Sequence, residues 1–301
     1  MEFTPHPNVK FMARFPRVEP LARDHSSMKL AKDCMLKYFF QVVLGFREKS
    51  TPQYFVYGGA YHKFKEVLEQ SKGDIKLAAE SAITYFMKRG GNPPVGTKYD
   101  HLTVQRLVKS FGLAFKSWEK EKSQGRIEVL AIEQIATVPL PNGGPLISGK
   151  LDQIVRWNQK VWGRDFKTSS KNSAWFSRGL SPNDQMIRYT YIESQLCGEP
   201  VQGQIVEVLF NSKKEGPKIE EFLAAFTRGE IDRWIAEQIE WERTLQRARE
   251  TNIWPRNENH CVYCPFHSVC KRPTEAAMMA ALENDYVMKP HDPTKFGEVD
   301  E

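Results

Sequence analysis

The stretch GPLISGKLDQIVRW, Gly144 to Trp157, admits two incompatible readings. Its first half looks like a phosphate-cradling loop and its second half like a carboxylate-bearing strand. A loop of the form GxxxxGK needs Ser or Thr after the lysine to ligate magnesium, and it opens a helix. Here Leu151 follows Lys150, Pro145 and Leu146 suit a phosphate nest poorly, and LDQIVRW alternates with the period of a strand. The stretch is therefore read as a strand. A second strand follows in KVWGRDFK, and Asn158-Gln159 between them reads as a hairpin turn. Centring the turn there sets Trp157 opposite Lys160 and, further along the same ladder, Asp152 opposite Asp165. Facing side chains in such a pair have Cβ atoms ~5 Å apart. Lys167 lies two residues beyond Asp165 and shares its face.

Two carboxylates held face to face repel unless positive charge sits between them. Lys167 offsets part of that repulsion, and a hard divalent cation, magnesium or manganese, offsets it better. A solvated strand face is the bland alternative for an isolated D-x-K; the predicted register argues against it.

The 301 residues suffice for one large domain or two small ones, and 41% hydrophobic with 12% aromatic content supports a sizeable core. A net charge of +6 is compatible with a polyanionic partner. No apolar run approaches the ~20 residues of a membrane span, and the first twenty residues lack a hydrophobic signal core, so a cytoplasmic protein without membrane contact is expected. Residues 1–27 read as an N-terminal arm, 28–273 as the functional domain with a helical insertion at about 73–124, and 274–301 as an acidic tail, disordered or partner-docking. Within the domain, Met28 to Phe46 is apolar and mostly helix-compatible, with Cys34 inside it, and Gly58-Gly59 precede a helix, AYHKFKEVLEQ. Helices are expected near 75–89, 101–122 and 182–196, and a long amphipathic one over 219–250. Strands are expected over 127–138, 146–157, 160–168 and 202–210, giving an α/β core.

His62 and Glu66 share one face of the AYHKFKE helix, and Gln185 and Tyr189 share one face of a later helix. Taken singly, each pair suits core or surface equally. In order, Gly58-x3-His62-x3-Glu66, Gly149-x2-Asp152, Asp165-x-Lys167-Thr168 and Gln185-x3-Tyr189 resemble the RecB-like branch of the PD-(D/E)XK nucleases. The resemblance covers about Met28 to Arg272. Lys-Leu stands ahead of Asp152 in place of Pro-Asp, and Asp165 takes the place where many relatives use Glu. The resemblance implies a mixed central sheet flanked by helices, as in restriction endonucleases. It further implies that His62, Asp152, Asp165 and the Phe166 backbone carbonyl ligate magnesium or manganese, and that Lys167 orients or deprotonates the attacking water. Gln185 and Tyr189 would position the strand, with Glu66 and Thr168 supporting; Glu133 is a weaker candidate.

Cys261, Cys264 and Cys270 form C-x2-C-x5-C and need a fourth ligand. His267 or His260 would complete a structural zinc site, which the chemistry alone favours, and Cys34 would complete an all-thiolate set for a 4Fe–4S cluster. AddB-type and CRISPR-associated nucleases of the same branch are similar in having one cysteine ahead of the His motif and three at this spacing near the end. The resemblance, despite Met35 where Pro is usual, thus implies an iron–sulfur cluster stapling the two ends of the domain. Cys197 matches no motif and reads as a packed thiol. The function implied is a metal-dependent DNA exonuclease in recombination, repair, replication or CRISPR adaptation, in a bacterium, an archaeon or a phage-infected host. It would act on single-stranded DNA or duplex ends, beside a separate helicase or recombination protein. The competing expectation is a non-catalytic DNA-binding scaffold braced by the cluster.

Overall fold

A computed structural model describes residues 22–293, so residues 1–21 of the expected arm and 294–301 of the expected tail lie outside the described part. In chain order the elements are β1 (Ala22–Arg23), α1 (His25–Asp33), α2 (Met35–Tyr38) running into a π turn (Phe39–Val43), and β2 (Phe46–Glu48). Then come α3 (Gln53–Gln70), α4 (Ile75–Lys88), α5 (Val104–Gln124), β3 (Ile127–Pro139), β4 (Leu146–Trp157), β5 (Lys160–Ser169), α6 (Ser173–Arg178) and α7 (Asp184–Cys197). The chain continues through β6 (Val201–Phe210), β7 (Lys218–Ala225), α8 (Arg228–Thr251), α9 (His267–Cys270), α10 (Glu275–Asp285) and β8 (Tyr286–Met288).

These elements fall into two compact units, one comprising residues 51–136 and 149–231, the other, among the described residues, 22–50, 137–148 and 232–293. In the first unit the sheet runs β4-β5-β6-β7, with β3 also on β4. β4 and β5 are antiparallel, β5 and β6 parallel, β6 and β7 antiparallel, so the sheet is mixed. The β4–β5 register is the expected one, from Trp157 opposite Lys160 to Gln153 opposite Arg164. Asn158 and Gln159 take positive φ, 50° and 64°, as a two-residue turn matched to strand twist requires.

Strand alternation sends neighbouring residues of β6 to opposite faces. Leu209 packs with Phe166 against α3, α4 and α5, including Phe64, Phe86 and Phe111. Val206, Val208 and Phe210 pack with Met186 of α7. The sheet is thereby flanked by helices on both faces, and the fold is the expected α/β class.

Two expectations are corrected. The long helix over 219–250 is two elements: KIEEFLAA forms β7, paired along β6 from Gly203–Ala225 to Phe210–Lys218, and α8 starts only at Arg228. The break is marked by a capping box. Thr227 Oγ1 accepts from the Glu230 amide at 3.3 Å, and Glu230 Oε2 accepts from the Thr227 amide at 2.7 Å. Gly58 and Gly59 lie inside α3 rather than ahead of it. Met28 to Phe46 is mostly helical, as expected, with Cys34 in an extended conformation (φ −167°, ψ 116°) between α1 and α2. The short α6 was not anticipated.

In the second unit α1, the π turn, α8 and α10 share an aromatic core with Phe39, Phe40, Trp254 and Phe266 at its centre. β1 pairs in parallel with Leu146 and Ile147, and β2 pairs antiparallel with β8. The described part of the acidic end therefore carries a helix and a strand. Asp24 caps α1 through the Ser27 amide (2.8 Å) and also meets His291 Nε2 at 3.2 Å.

Candidate active site

The site lies in the first unit, where β4 and β5 part. Their backbone ladder ends at Gln153 and Arg164. One step further, a side chain replaces the ladder: Asp152 Oδ2 accepts the Phe166 amide at 2.7 Å. Asp152 and Asp165 are both buried, at 8% and 2% exposure. The Lys167 ammonium donates to Asp165 Oδ1 at 2.8 Å and lies 2.7 Å from Oδ2. From α3, His62 Nδ1 approaches Asp152 Oδ1 to 3.3 Å.

The electrostatics follow from this crowding. Burial, reinforced by Asp152, holds the Asp165 carboxyl above the ordinary carboxylate range despite Lys167. For Asp152 the burial effect is overcome by His62, Lys167 and the Phe166 amide, and its carboxyl sits below that range. Burial disfavours the His62 imidazolium, but Asp152 outweighs it and raises the pKa. The surroundings thus push the two carboxyls in opposite directions.

Further groups complete the surroundings. Glu66 accepts from Lys63 Nζ at 2.9 Å. Glu133, at φ 51° within β3, forms an ion pair with Lys150. Its carboxyl is raised by burial and then by Asp152 and Glu66, against the pull of Lys150. On α7, Gln185 Nε2 donates to the Tyr189 hydroxyl at 3.0 Å, and Asn183 caps the helix through the Gln185 and Met186 amides. The glycines of the motifs have steric reasons. A Cβ on Gly149 would lie 3.0 Å from Tyr189 Cε1, and one on Gly58 would lie 3.0 Å from Thr168 Oγ1.

Sequence reasoning missed Glu193 and Gln204. Glu193 continues the Gln185–Tyr189 face by one more turn, which is the signal that could have exposed it. It is 1% exposed, accepts from Gln204 Nε2 at 2.6 Å, and burial pushes its carboxyl well above the usual range. Behind the site, Glu207 accepts from Tyr61 Oη (2.7 Å), Lys65 Nζ (2.9 Å) and Arg164 Nη2 (3.0 Å), fixing α3 to β5 and β6.

In the second unit Cys34, Cys261, Cys264 and Cys270 line one cavity of about 210 Å³, together with Lys37, Arg256 and Lys271. His260 and His267 line it as well. Burial, then the neighbouring Cys264, Cys34 and Cys261, push the Cys270 thiol up to about 12. Cys197 is not among the lining residues.

Two fits can be judged on these facts. Buried carboxylates in mutual repulsion, joined by an imidazole, suit a hard divalent cation. Four thiols lining one cavity, with Cys264 and Cys270 raised by burial and by the neighbouring cysteines, suit a group that stabilises thiolates. As they stand, however, neither the His62–Asp152–Asp165 set nor the four cysteines is a closed cage. Among the described residues no three or more His, Cys, Asp or Glu are already arranged as a metal cage. At the first site the physical reason is that Lys167 and His62 already hold the two carboxylates.

A family model described as the PD-(D/E)XK nuclease superfamily matches residues 25–271. Among solved structures, a candidate exonuclease from Eubacterium rectale is 14% identical with a TM-score of 0.50, over 93% of this chain and 99% of that one. SSO0001 is 15% identical over 82% of this chain and 96% of that one, with a TM-score of 0.30. No curated protein matches the chain. No helix among the described residues is long and apolar enough to cross a membrane.

Proposed function

Because the chain belongs to the PD-(D/E)XK nuclease superfamily, we propose that it is a divalent-metal-dependent deoxyribonuclease acting as an exonuclease. The observation that carries this reading is the pair of buried acids with Lys167 bonded to one of them. Asp152, Asp165, His62 and the Phe166 carbonyl would hold magnesium or manganese. When bound, the ion polarises the phosphoryl oxygen and lowers the pKa of water. Lys167 orients the attacking water and offsets charge that builds on the phosphorus, and its bond to Asp165 keeps the ammonium in place. Gln185 and Tyr189, tied to each other, hold the scissile strand by hydrogen bonds to phosphate. Glu66 and Thr168 support the acids from α3 and β5. DNA, single-stranded or duplex with an end, is the substrate, and a separate helicase or recombination protein would supply unwound strands.

The test is digestion of end-labelled single- and double-stranded DNA with magnesium, manganese or EDTA. Wild type cuts only with the ion, and Asp165→Ala and Lys167→Ala abolish cutting. Variants that cut like wild type overturn the assignment, and binding without cleavage under any ion supports a scaffold instead.

For the cysteines the proposal is a structural 4Fe–4S cluster on Cys34, Cys261, Cys264 and Cys270, not zinc. What supports it is that Cys34, far upstream, lines the same cavity as the other three. Such a cluster closes a very long loop. Brown protein with about four irons per chain is expected; colourless protein with stoichiometric zinc refutes the cluster.

A further inference from the structure

We infer that the groove at the outer end of β5 is a stacking subsite for unpaired bases of single-stranded DNA, a reading that rests on the nuclease assignment of the adjoining acids. The groove encloses about 540 Å³ and is lined from Thr168, the neighbour of Lys167, to Lys171. That volume falls within the ~300–1,000 Å³ typical of small-ligand sites.

Its walls are aromatic and come from separate elements: Tyr54 from the start of α3, Tyr99 from the α4–α5 connection and Trp175 from α6. Tyr54 and Trp175 remain 44% and 54% exposed. The Tyr54 ring lies 5.6 Å from Tyr99 and 4.3 Å from Phe55, itself 60% exposed. Tyr57, one turn further along α3, is buried in the core and also lines the groove, and Tyr99 packs against the same core, so the platform rests on a fixed base.

Charge completes the pattern. Lys171 Nζ stands 3.0 Å from the centre of the Trp175 ring, and Lys98 lies 5.3 Å from that of Tyr99. Lys213 also lines the groove, paired to Asp100 at 3.0 Å, and no carboxylate is among the lining residues. Open aromatic faces interleaved with cations bind single strands, because each base offers a π-face and each phosphate a charge. A duplex keeps those faces stacked on one another and cannot use the platform. Bases seated here would lie directly beyond Lys167 along β5.

The test is binding without cleavage: fluorescence anisotropy of labelled oligothymidylate and of a blunt duplex, in EDTA, against the full chain. Trp175→Ala and Tyr54→Ala should each weaken single-strand binding about tenfold and leave duplex binding within about twofold. Both side chains are half exposed, and unchanged melting temperatures verify that folding is intact. Unchanged single-strand affinity, or equal loss for both DNAs, overturns the subsite. The two readings fail separately. Metal-dependent cutting abolished by Asp165→Ala, with Trp175→Ala binding like wild type, refutes the groove alone. A tenfold loss in Trp175→Ala, with no cutting by wild type, supports the groove and refutes the nuclease.

Discussion

Glu207→Gln probes the part of the molecule that holds the candidate site in register. The Glu207 side chain is fully buried, and its carboxylate takes hydrogen bonds from Tyr61, Lys65 and Arg164. Burial alone would raise its pKa, but Lys65 and Arg164 outweigh it and hold the carboxyl below the ordinary range. Neutralising it leaves Arg164 with Glu121 (2.8 Å) and Glu221 (2.7 Å), whereas buried Lys65 retains the Phe166 ring at 4.6 Å. Removing one partner of a buried ion pair costs about 3–5 kcal/mol. At ~2–4 °C per kcal/mol, the melting temperature falls by about 6–20 °C. The sign with pH is fixed: a depressed carboxylate pKa contributes stability above the unfolded value, ~4.3, and loses it as pH falls through the lower folded value. Thermal unfolding by circular dichroism, repeated at several scan rates, measures the loss. The pair Lys65→Met with Glu207→Leu should recover most of it, since an apolar replacement leaves no unpaired charge. A loss below ~0.5 kcal/mol, the level of ordinary surface substitutions, refutes the reasoning. So does a double variant as unstable as the single.

Three other expectations are accessible. Asp24, whose pKa is lowered to about 2 by His291 and Ser27 against the effect of burial, contributes about 2 kcal/mol at neutral pH. That contribution is lost as pH falls from about 5 to 2, so urea unfolding of Asp24→Asn should show a deficit at pH 7 that vanishes in acid. Glu193 has the opposite sign: with its folded pKa raised, wild type loses stability as pH rises above ~4.3. Denaturation across neutral pH should therefore show Glu193→Gln gaining on wild type, and a constant difference would contradict a neutral buried acid. Gly149→Val places atoms against Tyr189 and Ile192, costs about 1–3 kcal/mol, and by shifting Tyr189 should slow cleavage ~10- to 100-fold. Single-turnover rates would show it.

How much could be read beforehand depended on local chemistry. The β4–β5 register was legible because alternation and an Asn-Gln turn in the left-handed region specify it together. Strand β7 was not, because Glu, Leu and Ala in KIEEFLAA favour helix locally and only pairing to β6 overrides that preference. The Thr227–Glu230 capping box was the overlooked boundary. The meeting of His62 with Asp152, ninety positions apart, could be anticipated from the family resemblance and not from periodicity. Glu193 was missed because an acid in IESQLC reads as a helix surface, and its burial against Gln204 is set by the tertiary packing of α7 on β6.

The central claim is that Asp152 and Asp165 together form a cation site. Calorimetric titration of manganese into wild type, Asp152→Asn and Asp165→Asn tests it most directly. The account predicts one site in wild type that weakens at least tenfold in each variant. Equal manganese affinity in all three proteins would contradict it.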